Sequence, residues 1–102
     1  MDRLATLLEM ERAKPTDPFL KYALAMEYVS KGNMTESRRY FERLVAEYPD
    51  YVVTYYQYGK LEEETGNNTA AIALYTKGIE KANAVNDAKT ARELQQAIDM
   101  AD

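Results

Sequence analysis

Apolar residues recur along this chain at helical spacing: Leu24 and Tyr28, then Tyr40, Phe41, Leu44, Val45 and Tyr48, and later Leu74, Tyr75, Ile79 and Ala82. Positions three and four apart share one face of a helix, whereas a strand alternates in steps of two, and no alternating stretch competes. The pattern therefore predicts helices. Gly32 and Gly66 follow helical runs, where a left-handed residue ends a helix, and Thr35 and Thr69 are expected to cap the helices that come next. Asp17 before Pro18 predicts a further start, because the carboxylate accepts from free amides and proline at the first helical position gives up no needed donor. Asp50 after Pro49 is expected to repeat this device. Leu4, Leu7, Leu8 and Met10 predict an early helix face ending near Ala13, and Asp87 precedes a last one of Ala91, Leu94, Ile98 and Ala101.

Comparing the chain with itself exposes a repeat. A shift of 34 residues brings Gly32-Asn33-Met34-Thr35 onto Gly66-Asn67-Asn68-Thr69, and places Pro15 on Pro49, Tyr22 on Tyr56, Ala25 on Gly59, Ser37 on Ala71, Phe41 on Tyr75 and Val45 on Ile79. Each unit reads as two helices and a tight turn. The expected organisation is one domain over 1–102: a half-repeat helix in 1–14, units at 15–48 and 49–82, and a capping helix in 83–102. Such units bury their apolar faces by stacking, so about three are needed for stability. Six antiparallel helices in three pairs satisfy that need, and Lys89, Arg92, Glu93, Gln95, Gln96 and Asp99 give the last helix a polar outer side.

Leu24-Ala25, Tyr28, Ser37, Phe41 and Pro49 in the first unit, with Tyr55, Tyr58-Gly59, Ala71 and Tyr75 in the second, resemble the tetratricopeptide repeat, in the form of a small bacterial-type domain. Departures are Lys21 where the pattern has tryptophan, Glu62 where it has tyrosine and Asn83 where it has proline. The resemblance implies an all-α fold, a right-handed α-α superhelix. It also implies a concave face, lined by the first helix of each pair, that receives a protein or peptide segment. Small residues at Ala25, Gly59, Ser37 and Ala71 let paired helices approach, and Gly78 predicts a close contact that Leu44, its counterpart, would not repeat.

On that implied face the side chains not used for pairing are Phe19, Tyr22, Met26 and Val29 in one helix, and Val53, Tyr56, Gln57, Lys60 and Glu63 in the other. Aromatic and methionine side chains are frequent among residues whose truncation costs binding energy. A tyrosine-lined peptide groove centred on Tyr22 and Tyr56 is the resulting expectation. The competing expectation for Phe19, Val29 and Val53 is ordinary core under a neighbouring helix. Some family members grip acidic C-terminal tails with basic and amide groups; Tyr22, Met26 and Gln57 stand in those places here, so an apolar or mildly basic ligand fits better.

Composition narrows the function classes. The chain has 46% apolar residues, no cysteine, no histidine and a net charge of −4. Lacking both side chains, it has no thiol nucleophile, no disulfide and no imidazole base, so neither an enzyme nor a metal or cofactor site is expected. The negative balance disfavours nucleic acid, and no apolar run is long enough for a membrane. Residues 1–10 show no secretory signal, and a cytoplasmic setting is expected. Glu62, Glu63 and Glu64 point about 100° apart on a helix and are expected to be solvated rather than a metal cluster. Arg38, Arg39 and Arg43 are expected on a salt-bridged surface rather than in a phosphate patch. The acceptor patterns at Asn33 and Asn67 are read as helix capping, and Tyr28, Tyr40, Tyr55, Tyr58 and Tyr75 as packed rings with their hydroxyls at the surface. Self-association into a symmetric homodimer is the alternative to peptide binding.

Overall fold

The computed structural model describes residues 2–101; Met1 and Asp102, at the outer ends of the expected first and last segments, lie outside the described residues. Six helices follow one another: α1 Arg3–Ala13, α2 Pro18–Ser30, α3 Met34–Glu47, α4 Val53–Glu64, α5 Asn68–Ala84 and α6 Ala88–Ala101. No strand occurs among the described residues, as the spacing predicted. The chain divides into two compact units at Tyr51/Val52, each built of three helices.

In the first unit α2 packs on both α1 and α3. Leu20, Ala23, Leu24 and Ala25 of α2 are buried with Phe41 and Leu44 of α3 and Leu7 of α1. The small pair expected here is in close contact: Ser37 is fully buried and its hydroxyl donates to the Ala25 carbonyl at 2.8 Å. The expected α1 face needs one correction, since Met10 is 47% exposed. Its place is taken by Glu11, one turn beyond Leu7, because that carboxylate has a buried cation to meet. Lys21 of α2, at the position where the repeat pattern has tryptophan, is only 1% exposed. Its ammonium donates to the Pro15 carbonyl and lies 3.4 Å from Glu11 Oε2, while the Tyr40 hydroxyl donates to Glu11 Oε1 at 3.2 Å. A buried polar network thus occupies the volume an indole would fill.

In the second unit α5 packs on α4 and α6. Ala71, Tyr75, Leu94 and Ala97 form a buried cluster, with Tyr56, Ile79, Ile98 and Ala101 against it. Gly59 and Gly78 mark tight helix contacts: a Cβ on Gly59 would enter the Tyr75 ring, and one on Gly78 would lie 2.7 Å from Tyr55 Cβ and 2.9 Å from Leu94 Cδ1. The contact foreseen at Gly78 is therefore present.

The tight turns use one device three times. After α2, α4 and α5 come Gly32, Gly66 and Asn86, all with positive φ, of 76°, 86° and 60°. The next amide in each case, Asn33, Asn67 or Asp87, donates back to the carbonyl of Tyr28, Glu62 or Ala82. This is the Schellman closure, which satisfies carbonyls a helix end would leave open. Thr35 and Thr69 do not cap the following helices, because the closure brings the chain into α3 and α5 two residues earlier. Asn33 is the cap of α3, accepting from the Glu36 amide at 3.1 Å. Asn67 precedes α5 without a side-chain cap; its amide reaches back to Glu62 Oε2 at 3.0 Å. Asp17 caps α2 as expected, but Asp50 does not start α4. The Tyr51 amide closes a turn onto the Tyr48 carbonyl, carrying Asp50 clear of the helix, and α4 begins after Val52, which has no side-chain acceptor.

Candidate functional site

The α2 face expected to meet a ligand is partly open along its length. Phe19 is 56% exposed, and Tyr22, Met26 and Val29 are half-buried. Three- and four-residue steps put these four on one stripe of the helix. Tyr22 meets the Tyr51 ring edge-on, with centroids 6.2 Å apart and planes at 69°, a favoured arrangement for the ring quadrupoles. Burial, followed by the neighbouring Tyr51, raises the pKa of the Tyr22 phenol; burial and then Asp17 do the same for Tyr51. Both remain neutral donors near neutral pH. Tyr51 is not among the expected residues; it lies in the turn before α4 rather than in the first turn of a helix begun at Asp50.

On α4, Val53 is 41% exposed and Tyr56, Gln57, Lys60 and Glu63 are half-buried. Tyr56 is shared between surface and core: its ring lies 6.2 Å from that of Tyr75, tilted by 47°. Lys60 sits over the Tyr56 ring at 5.6 Å and pairs with Glu63 at 3.6 Å, so one face of Tyr56 is already occupied by a cation. The nine expected residues thus fall on two stripes, one in each unit, and none is fully buried.

A cleft of about 480 Å³ opens between α4 and α6. Its α4 wall consists of Val53, Tyr56 and Gln57, with Val52 at the helix start; its α6 wall consists of Asp87, Thr90 and Glu93. The α6 residues lie outside the expected set, in which that helix serves only as a cap. The signal was available: two further steps of 34 lead from Phe19 through Val53 to Asp87, and from Tyr22 through Tyr56 to Thr90. Asp87 accepts from both the amide and the hydroxyl of Thr90, at 3.1 and 2.6 Å. These hydrogen bonds, the hydroxyl's first, hold its carboxyl below the usual range and keep it charged.

Comparison with known proteins decides what kind of scaffold carries these faces. The tetratricopeptide repeat profile matches residues 20–51 and 52–84, more than half of the chain. The chain belongs to the tetratricopeptide repeat family. A tetratricopeptide repeat domain protein from Salinibacter ruber, solved in solution, is 43% identical, with 87% of this chain and 90% of that one covered and a TM-score of 0.84. A crystal structure of a tetratricopeptide repeat domain protein from the same organism is 44% identical, covering 83% and 96% of the two chains with a TM-score of 0.79. A protein from Bordetella parapertussis shares the fold at 18% identity, with 99% and 88% covered and a TM-score of 0.84. Comparison with curated proteins returns no match.

Tetratricopeptide repeats are generally protein–protein interaction modules and typically non-catalytic. Among the described residues no group of three or more acidic, histidine or cysteine side chains is arranged to hold a metal, and no helix is long and apolar enough to cross a membrane. Two expectations for side chains away from the groove need correction. Glu62 is not solvated but 6% exposed, since it stands at the repeat's tyrosine position and its carboxylate accepts from Asn67. The Tyr55 and Tyr75 side chains are buried, the Tyr75 hydroxyl included, because the close helix approaches at Gly78 and Gly59 enclose them. Burial, with the nearby Glu63 carboxylate, pushes the Tyr75 phenol strongly upward. On α3, Arg39 and Arg43 are exposed and paired with Glu36 and Glu47, as expected of a solvated surface.

Proposed function

We propose that this tetratricopeptide repeat protein is a non-catalytic interaction module, and that it binds a peptide or protein segment on the tyrosine-bearing stripes of α2 and α4. The single observation that carries this reading is the cleft in the second unit. Three of the residues expected from sequence, Val53, Tyr56 and Gln57, form one wall of a concavity whose volume lies in the range of ligand sites. Tyr22, one repeat earlier, presents the equivalent ring in the first unit beside the exposed Phe19. Binding there would cover partly exposed aromatic surface without breaking any helix cap. A cytoplasmic setting, expected for a cysteine-free chain, belongs to the same proposal.

Selection of binding peptides from a displayed random library, repeated with Tyr22→Ala and Tyr56→Ala in one chain, tests this. Loss of binding in a variant that keeps its helical circular dichroism supports the placement, and undiminished binding refutes it. A second reading, self-association, is favoured by exposed apolar side chains elsewhere: Val85 is 62% and Met100 82% exposed. A mass by light scattering that stays monomeric with rising concentration removes that reading.

A further inference from the structure

The two walls of the α4–α6 cleft differ in character, and that difference specifies a ligand. Val53 and Tyr56 offer apolar surface from α4, while Asp87 and Glu93 bring two carboxylates from α6. Resting on the peptide-binding reading above, we propose that this cleft selects a segment in which a large apolar side chain stands beside an arginine or lysine.

The charge is of one sign and held in place. Two hydrogen bonds from Thr90 fix the Asp87 carboxylate at the start of α6, and Glu93 lies two turns along the same helix. Neither forms an ion pair among the described residues, and the cation acting on Asp87 is Lys89 of its own helix. Lys60, on the α4 side, already has its charge matched by Glu63. An incoming cation therefore meets two carboxylates that no ion pair engages, and an acidic tail meets repulsion. Arginine suits the site best, because its planar donors engage a carboxylate through two parallel hydrogen bonds. The apolar neighbour supplies the less salt-sensitive part of the affinity by covering Val53 and the open part of Tyr56.

The test uses the full chain and synthetic peptides with a central leucine flanked by arginine, by glutamine or by glutamate, followed through protein amide resonances. The expected result is perturbation at Val53, Tyr56 and Gln57, with arginine peptides binding most tightly. Glu93→Lys and Asp87→Asn should each reduce the arginine preference roughly two- to fivefold, as partly exposed charge pairs do. Both substitutions leave folding intact, since Glu93 is exposed and asparagine also caps helices. If peptides perturb these amides with no arginine preference, or with one that both variants retain, the acidic-wall proposal is overturned and the peptide cleft stands. If no peptide perturbs α4 or α6, the cleft reading falls with it.

Discussion

Lys21 shows how one residue re-engineers its surroundings. An ammonium placed at 1% exposure is costly unless paired, and the chain answers with Glu11, the Pro15 carbonyl and, through Glu11, the Tyr40 hydroxyl. Removing Lys21 leaves Glu11 Oε2 without its cation, and removing Glu11 leaves the buried ammonium only the Pro15 carbonyl. Lys21→Ala is expected to destabilise the protein by about 3–5 kcal/mol, a range seen when one half of a buried pair is lost. Replacing both charges together, Lys21→Met with Glu11→Leu, should cost clearly less than the sum of the single changes, and a double-mutant cycle from urea unfolding measures the difference. Additive costs would mean that the two side chains are not coupled.

At the scale of elements, the turns and the helix contacts carry separate requirements. Asn86 holds a left-handed conformation that glycine holds at the two equivalent turns. Asn86→Gly should be neutral or slightly stabilising, whereas Asn86→Ala should cost about 1 kcal/mol, because alanine keeps the strained Cβ but loses the polar side chain that lets asparagine tolerate that conformation. Thermal melts of the two variants should separate in that order. Gly78 sits inside α5 for a different reason. Alanine there gains about 1 kcal/mol of helix propensity, yet its Cβ would lie 2.7 Å from Tyr55 Cβ, an atom fixed to its backbone. Overpacking of this kind costs about 1–3 kcal/mol, so Gly78→Ala should lower stability on balance, and a raised unfolding midpoint would contradict the packing described.

For the molecule as a whole, the buried phenols predict how stability responds to alkali. Burial raises Tyr40 first, followed by the Glu11 charge and its hydrogen bond, to about 12, and burial raises Tyr75 further. An unfolded tyrosine titrates near 10. A raised folded pKa means that the folded state keeps its proton where the unfolded state has lost it. The stabilising contribution is therefore intact below about pH 10 and falls away between pH 10 and 12 as the unfolded state is ionised. Chemical unfolding across that interval should show declining stability, and Tyr40→Phe should make the decline shallower while forfeiting the hydrogen bond to Glu11. A decline of equal slope in both proteins would place the titrating group elsewhere.

Sequence periodicity alone determined the helical class, the 34-residue unit and the glycine turns, because those features depend on spacing and on backbone conformations few residues adopt. It also marked Gly78 as a close contact. What it did not determine were features made by residues distant in the chain. The cap of α3 lies at Asn33 rather than Thr35, and α5 starts without a side-chain cap, because the Schellman closure sets where the chain re-enters a helix. Glu11 and Lys21, each unremarkable on its own helix, became a buried pair only through the packing of α1 on α2. The cleft acquired its acidic wall because α6 lies beside α4, a neighbourhood set by three-dimensional packing. Local pattern decides which faces a helix has; only tertiary structure decides what each face meets.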